Sequence, residues 1–186
     1  MSLTIKKNNL LVVVSLALGI LIPTTFCSAN AFELGDGRTA FLRAPRLIRT
    51  AASNSNANGP STYQFTIEVP EKAGEALKAV TISPKNNAQK INFNVSKSKA
   101  FMGDSFAGGT NLSLTNIGGS QINGSNEITI VFDEPVQPGN TVTVSLKTRR
   151  NPRAGGFYLF GVTAFPEGEN SPGLYLGSGQ LHFLRN

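Results

Sequence analysis

From Thr62 the chain alternates strictly. In TYQFTIEV, Tyr63, Phe65, Ile67 and Val69 take one side while Gln64, Thr66 and Glu68 take the other. A period of two over this length predicts a half-buried β-strand, and Pro70 and Gly74 punctuate its end. The same period returns in LKAVTIS (Leu77–Ser83), INFNV (Ile91–Val95), NLSLT (Asn111–Thr115), EITIVF (Glu127–Phe132) and TVTVSLKT (Thr141–Thr148). It returns again in GFYLFGVTAF (Gly156–Phe165), LYL (Leu174–Leu176) and QLHFL (Gln180–Leu184). Eight or nine short strands with Gly, Pro and Asn between them predict an all-β protein, a single immunoglobulin-like β-sandwich over residues 62–186. No window of a dozen residues keeps helical spacing. EKAGEALKA (Glu71–Ala79) is interrupted by Gly74 and supports at most a turn or two of helix.

Residues 32–61 break the pattern. They carry Pro45, several arginines and the polar run SNSNANGPS, which disfavour regular structure and predict an irregular N-terminal arm and linker. After TVTVSLKT, Asn151-Pro152 and Gly155-Gly156 change the chain's direction, since Asn-Pro initiates turns and paired glycines accept positive φ. A hairpin-like connection to GFYLFGVTAF is expected. In that strand Phe157 and Leu159 alternate with Tyr158, Phe160 and Val162, so both sides are apolar, as in a central strand covered on each face. Leu42, Leu47 and Ile48 of the arm are the expected roof over one face.

The first 31 residues read differently. Lys6 and Lys7 precede an apolar run from Leu10 to Ile22, and Ala29-Asn30-Ala31 supplies a small-x-small site, so residues 1–31 are read as a cleaved secretory signal peptide. The run falls short of the roughly 20 residues that span a bilayer. Phe26 stands where a lipobox ending in Cys27 would need a small residue. No later stretch is long and apolar enough to span, so no transmembrane segment is expected after cleavage. The expected mature chain, 186 − 31 = 155 residues, has no cysteine and 15 basic against 11 acidic residues, a net charge of +4. Disulfides, zinc–thiolate sites and cysteine nucleophiles are thereby excluded from it.

The remaining chemistry is sparse, and no catalytic residues, cofactor or metal site are assigned. A Ser-His-Asp triad would need His182 as its base, yet there is no G-x-S-x-G elbow and His182 sits in an alternating strand. One histidine and no cysteine disfavour zinc and copper. Asp36 and Asp104 lie in glycine-rich turns without the repeated acidic spacing of a calcium loop. Asp133-Glu134 and Glu167 with Glu169 read as solvated loop acids, because a glycosidase requires a set separation in space. PRAGGFY lacks the phosphate-loop pattern and leads into a strand. Nucleic acid is not an expected partner of an exported chain with so small a charge.

What survives is a basic corner. Lys147, Arg149, Arg150 and Arg153 lie within seven residues, and Arg43, Arg46 and Arg49 of the arm are expected to converge on them. Convergence is what such a patch needs to act through roughly 8 Å of screening. Its expected partners are an anionic glycan, a lipid surface or an envelope protein.

The blocks YQFTIEVPEKAGEALKAVTI, VFDEPVQPGNTVTVSLKTRRNPRAGGFYLFGVTAFPEG and LYLGSGQLHFL make the chain similar, from about Arg43 to Leu184, to an exported cyanobacterial family catalogued only as a domain of unknown function. The resemblance implies a cyanobacterial source, an envelope or extracellular setting and one β-rich domain, and it implies no activity. The reading is therefore an exported, non-catalytic binding or structural module, periplasmic, extracellular or in the thylakoid lumen. The alternatives are an enzyme acting on envelope polysaccharide and an assembly subunit that binds by strand addition.

Overall fold

The computed structural model describes residues 32–33, 38–85, 89–120, 127–168 and 170–185. The signal segment expected over residues 1–31 lies outside them. All regular structure among the described residues is strand, and all strand pairings are antiparallel. Strands β1 (Phe32–Glu33) and β2 (Thr39–Ala40) make a minimal pair. Nine longer strands follow: β3 (Arg46–Ala52), β4 (Ser61–Glu68), β5 (Leu77–Lys85), β6 (Phe93–Met102), β7 (Leu114–Ser120), β8 (Glu127–Val136), β9 (Thr141–Thr148), β10 (Gly156–Pro166) and β11 (Leu174–Phe183). They form a five-stranded sheet, β11-β10-β5-β8-β7, and a four-stranded sheet, β3-β4-β9-β6.

The two sheets bury one face of each against the other. Tyr63, Phe65 and Ile67 of β4, Val142, Val144 and Leu146 of β9, and Phe160 and Val162 of β10 are fully buried. Tyr63 sits at the centre of an aromatic cluster, with ring centroids 5.6 Å from Phe93, 5.7 Å from Phe160 and 5.5 Å from Phe183. Such edge and tilted pairs add about 0.5–1.5 kcal/mol each beyond the area they bury.

The stretch read as an irregular arm contains β3, which pairs with β4, so the sandwich begins well before residue 62. The polar run after β3 is an ordered loop: Asn56 N donates to Asn54 Oδ1 (3.0 Å), Thr62 N to Ser53 Oγ (2.9 Å) and Asn54 N to Ser61 Oγ (3.1 Å). The β9–β10 connection is no hairpin, because β9 pairs with β4 and β6 while β10 pairs with β5 and β11; it crosses from one sheet to the other.

The coverage expected of β4 and β10 is exchanged as well. β4 is buried on both sides, with Gln64 5% and Thr66 0% exposed, because the loop after β6 folds over its outer face. Gln64 Nε2 donates to the Phe106 carbonyl (3.1 Å), the Thr66 and Thr143 hydroxyls share a 3.0 Å bond, and Thr143 donates to the Gly103 carbonyl (2.8 Å). β10 is open on its outer side, with Phe157 66% and Leu159 40% exposed. The expected roof lies elsewhere: Leu47 is in β3 and packs on the core, Ile48 is exposed, and Leu42 lies against Gly74.

Candidate functional site

The crossing loop Arg149–Gly155 is fixed from beneath. Asn151, 3% exposed, uses its whole side chain: Oδ1 accepts from the Tyr63 hydroxyl (2.8 Å), and Nδ2 donates to the carbonyls of Asn54 (2.8 Å) and Asn56 (2.9 Å). Its backbone N donates to Gly59 O (2.7 Å). Tyr158 donates to Ala154 O (3.0 Å), Thr148 Oγ1 to Arg150 O (2.9 Å), and Gln89 Oε1 accepts from the backbone N of Arg153 (2.6 Å) and Ala154 (3.0 Å). Gly156 adopts φ +129°, and Gly155 runs so close to the end of β11 that a Cβ would lie 2.8 Å from Arg185 N. Burial, and secondarily the neighbouring Tyr158, hold the Tyr63 phenol far above the ordinary tyrosine range, so it remains a donor. Burial raises Tyr158 as well.

Over this frame lies an open depression of about 580 Å³ lined by Lys90, Arg149, Arg150 and Arg153, with Asn58, Gln89 and Asn92 among the rest and, among the described residues, no acidic side chain. All four cationic side chains are exposed. A held backbone beneath free guanidinium groups can present several donors to one anion without ordering the loop at the moment of binding.

The expected convergence with the arm does not occur. β4 pairs Ser61 with Thr148 and Glu68 with both Thr141 and Arg46, so the arm arginines enter at the opposite end of β4. Seven residues of strand separate the two ends, about 23 Å at ~3.3 Å per residue. Arg46 is paired with Glu68 at 2.6 Å and shares a mixed-charge depression with Arg43, Lys72 and Glu71. Arg49 donates to Thr66 Oγ1 (3.2 Å) and lies 6.0 Å from the Phe106 ring centroid. Lys147 is exposed on the outer side of β9, in a groove adjoining the loop depression. Lys90 was not read from the sequence as part of the patch; nothing in residues 89–92 marks it, and the turn into β6 is what brings it there.

The other candidates stay apart. His182 is exposed on β11 with its ring 4.6 Å from that of Phe157. Asp104, Asp133 and Glu134 are exposed; Asp36 and Glu169 lie outside the described residues. Among the described residues no three His, Cys, Asp or Glu side chains gather as metal ligands would, and no helix is long and apolar enough to cross a membrane. Glu75, buried and with Oε1 lacking a hydrogen-bond partner, has its pKa raised by burial and then by Glu167.

Comparison with curated proteins finds no match. Solved structures with some likeness include BslA, described as a bacterial hydrophobin: 12% identical, covering 77% of this chain and 100% of that one, TM-score 0.43. The full-length major pilin SpaD from Corynebacterium diphtheriae is 12% identical over 74% of this chain and 34% of its own, TM-score 0.49. An uncharacterized protein from Nocardia farcinica with an immunoglobulin-like fold is 15% identical over 72% and 95%, TM-score 0.38. The chain thus spans about a third of the pilin's length. At the level of family the match is direct and runs through every long strand: over residues 38–183 the chain belongs to the family described as "Protein of unknown function (DUF2808)".

Proposed function

We propose that the protein is an exported, non-catalytic binding module of the cell envelope whose β9–β10 loop takes an anionic glycan. The observation that carries this reading is the acid-free depression in which Lys90, Arg149, Arg150 and Arg153 stand over a loop anchored by Asn151. Guanidinium forks match carboxylate, sulfate and phosphate oxygens. Around them Asn58, Gln89 and Asn92 supply amides that both donate and accept, which suits sugar hydroxyls. Export is supported by the charged, apolar and small-residue pattern of residues 1–31. A cyanobacterial source rests on the family resemblance alone.

The test is calorimetric titration with trigalacturonate, with maltotriose as the neutral control and vesicles of anionic lipid as a second probe. Trigalacturonate should bind, more weakly as salt rises, and R149S/R150S/R153S should lower its affinity at least about tenfold, or 1.4 kcal/mol. Equal binding of maltotriose, or unchanged affinity in the triple variant, overturns the reading. Binding to the vesicles without binding to the sugar moves the ligand to the membrane surface.

A further inference from the structure

The loop depression does not end at the loop. A second open groove, about 670 Å³, lies on the outer face of the four-stranded sheet and is lined by Lys97, Lys99 and Lys147 together with Thr62, Ser96 and Ser145; among the described residues it too has no acidic side chain. Three segments run from one depression into the other. Asn58 lines the first and Thr62 the second; Asn92 and Ser96 do the same along β6; Arg149 and Lys147 do so along β9. The last pair is two residues apart, about 7 Å of strand. Seven cations, Lys90, Lys97, Lys99, Lys147, Arg149, Arg150 and Arg153, therefore follow one path.

The path is shaped by a bulge. Asn94 faces Lys147 and Lys99 faces Ser145, so five steps along β6 match two along β9. Ser98 Oγ donates to Asn94 O (3.0 Å) and Ser96 Oγ to Asn94 Oδ1 (2.9 Å), which ties the extra residues down. Bulges redirect side chains beside sites. A lysine on a bulged edge strand also discourages edge-to-edge pairing, but that role does not require Lys97 and Lys99 to share an acid-free groove with Lys147. Single-stranded nucleic acid would call for exposed rings on which bases stack; the ring that lines this groove, Phe101, is 4% exposed. Hydroxyl and amide groups alternate with the cations instead.

We infer that the loop and the groove form one continuous track for an extended acidic polysaccharide, the loop holding one segment of the chain and Lys97, Lys99 and Lys147 the next. This rests on the loop reading above and adds to it a requirement for ligand length. The experiment titrates the protein with trigalacturonate, with dodecagalacturonate and with an oligothymidylate of similar charge, comparing the unaltered protein with K97S/K99S. A ligand that engages both sites gains by effective concentration, so the dodecamer should bind about a hundredfold tighter than the trimer. It should also show the steeper salt dependence, since more counterions are released. K97S/K99S should remove about tenfold of the dodecamer's advantage and leave the trimer unchanged. Equal affinity for trimer and dodecamer overturns the track while leaving the loop reading standing. A length dependence that is undiminished in K97S/K99S also overturns it. Failure of both sugars to bind overturns both readings, and tighter binding of the oligothymidylate with the same dependence on Lys97 and Lys99 overturns the assignment to a glycan.

Discussion

Asn151→Ala tests whether the crossing loop is a built platform. The side chain makes three hydrogen bonds, to the Tyr63 hydroxyl and to the carbonyls of Asn54 and Asn56. At about 1 kcal/mol each their loss costs about 3 kcal/mol, and leaving the buried Tyr63 hydroxyl without an acceptor adds at least 1 more. A total of about 4 kcal/mol, at roughly 2–4 °C per kcal/mol for a domain of this size, lowers the melting temperature by about 8–16 °C. Urea unfolding followed by tyrosine fluorescence measures it directly.

Tyr63→Phe supplies the control, because it removes only the donor and leaves Asn151 Oδ1 unpaired, costing about 1–2 kcal/mol. The double variant should be less destabilised than the sum of the singles by about 1–2 kcal/mol, the coupling of residues in one network. Asn151 lines the floor of the depression but is 3% exposed, and its side-chain amide is engaged in the three internal bonds, so a loss of trigalacturonate affinity in Asn151→Ala is expected to act through the positioning of Arg149, Arg150 and Arg153. A cost below about 1 kcal/mol, or strict additivity with Tyr63→Phe, would refute the account of a loop fixed from beneath.

Gly179→Ala probes the seam where β11 meets β3: an added Cβ would collide with the Thr50 hydroxyl and lie 2.9 Å from Thr50 Cβ. A loss of about 1–3 kcal/mol in urea unfolding is expected, partly relieved by Thr50→Ala; a neutral substitution would mean that the seam is loose. Glu75→Gln tests buried charge. A carboxyl whose pKa is raised on folding contributes stability that is full below its ordinary value of 4.5 and lost as pH rises through the higher folded value. The glutamine variant should therefore be the more stable at pH 7 and lose that advantage below pH 4.5, and a difference independent of pH would refute the cause assigned to the shift.

The alternation of apolar residues was sufficient to locate most strands, because a sandwich buries one face of each and so writes period two into the chain. It failed at β3 for a local reason. Leu47 faces Ile67 and Arg49 faces Thr66, which leaves Ile48 as an extra residue in a bulge; the bulge breaks the period in RLIRTAA and makes a strand read as irregular chain. Coverage of the outer faces was not legible at all. Gln64 and Thr66 look solvent-facing in sequence but are buried under the loop after β6, where Gln64 Nε2 finds the Phe106 carbonyl and Thr66 shares a bond with Thr143, which in turn donates to Gly103, while Gln64 Oε1 is left without a partner. Phe157 and Leu159 look buried but face outward. Polarity reports what a residue needs, and a need met by hydrogen bonding permits burial as readily as water does.

The same logic explains the half-seen site. Arg149, Arg150 and Arg153 could be read from the sequence because they are neighbours in it. Arg43, Arg46 and Arg49 were drawn toward them only by likeness of charge, and an antiparallel partner decides otherwise: β3 enters beside Glu68 while β9 leaves beside Ser61. Lys90 arrives by a turn, and Lys97 and Lys99 by a bulge whose size depends on how β6 pairs with β9. Charge clustering on a β-sandwich is thus a property of register, and register lies in the pairing of strands distant in sequence. A protein carrying a net charge of only +4 on residues 32–186 can still assemble seven cations on one acid-free path, because its acids are placed by the same pairing on other surfaces; Glu68 faces Arg46, and Glu127 accepts from Ser83 at 2.9 Å. Net charge therefore understates how strongly such a sheet can attract a polyanion, and the local path sets that attraction.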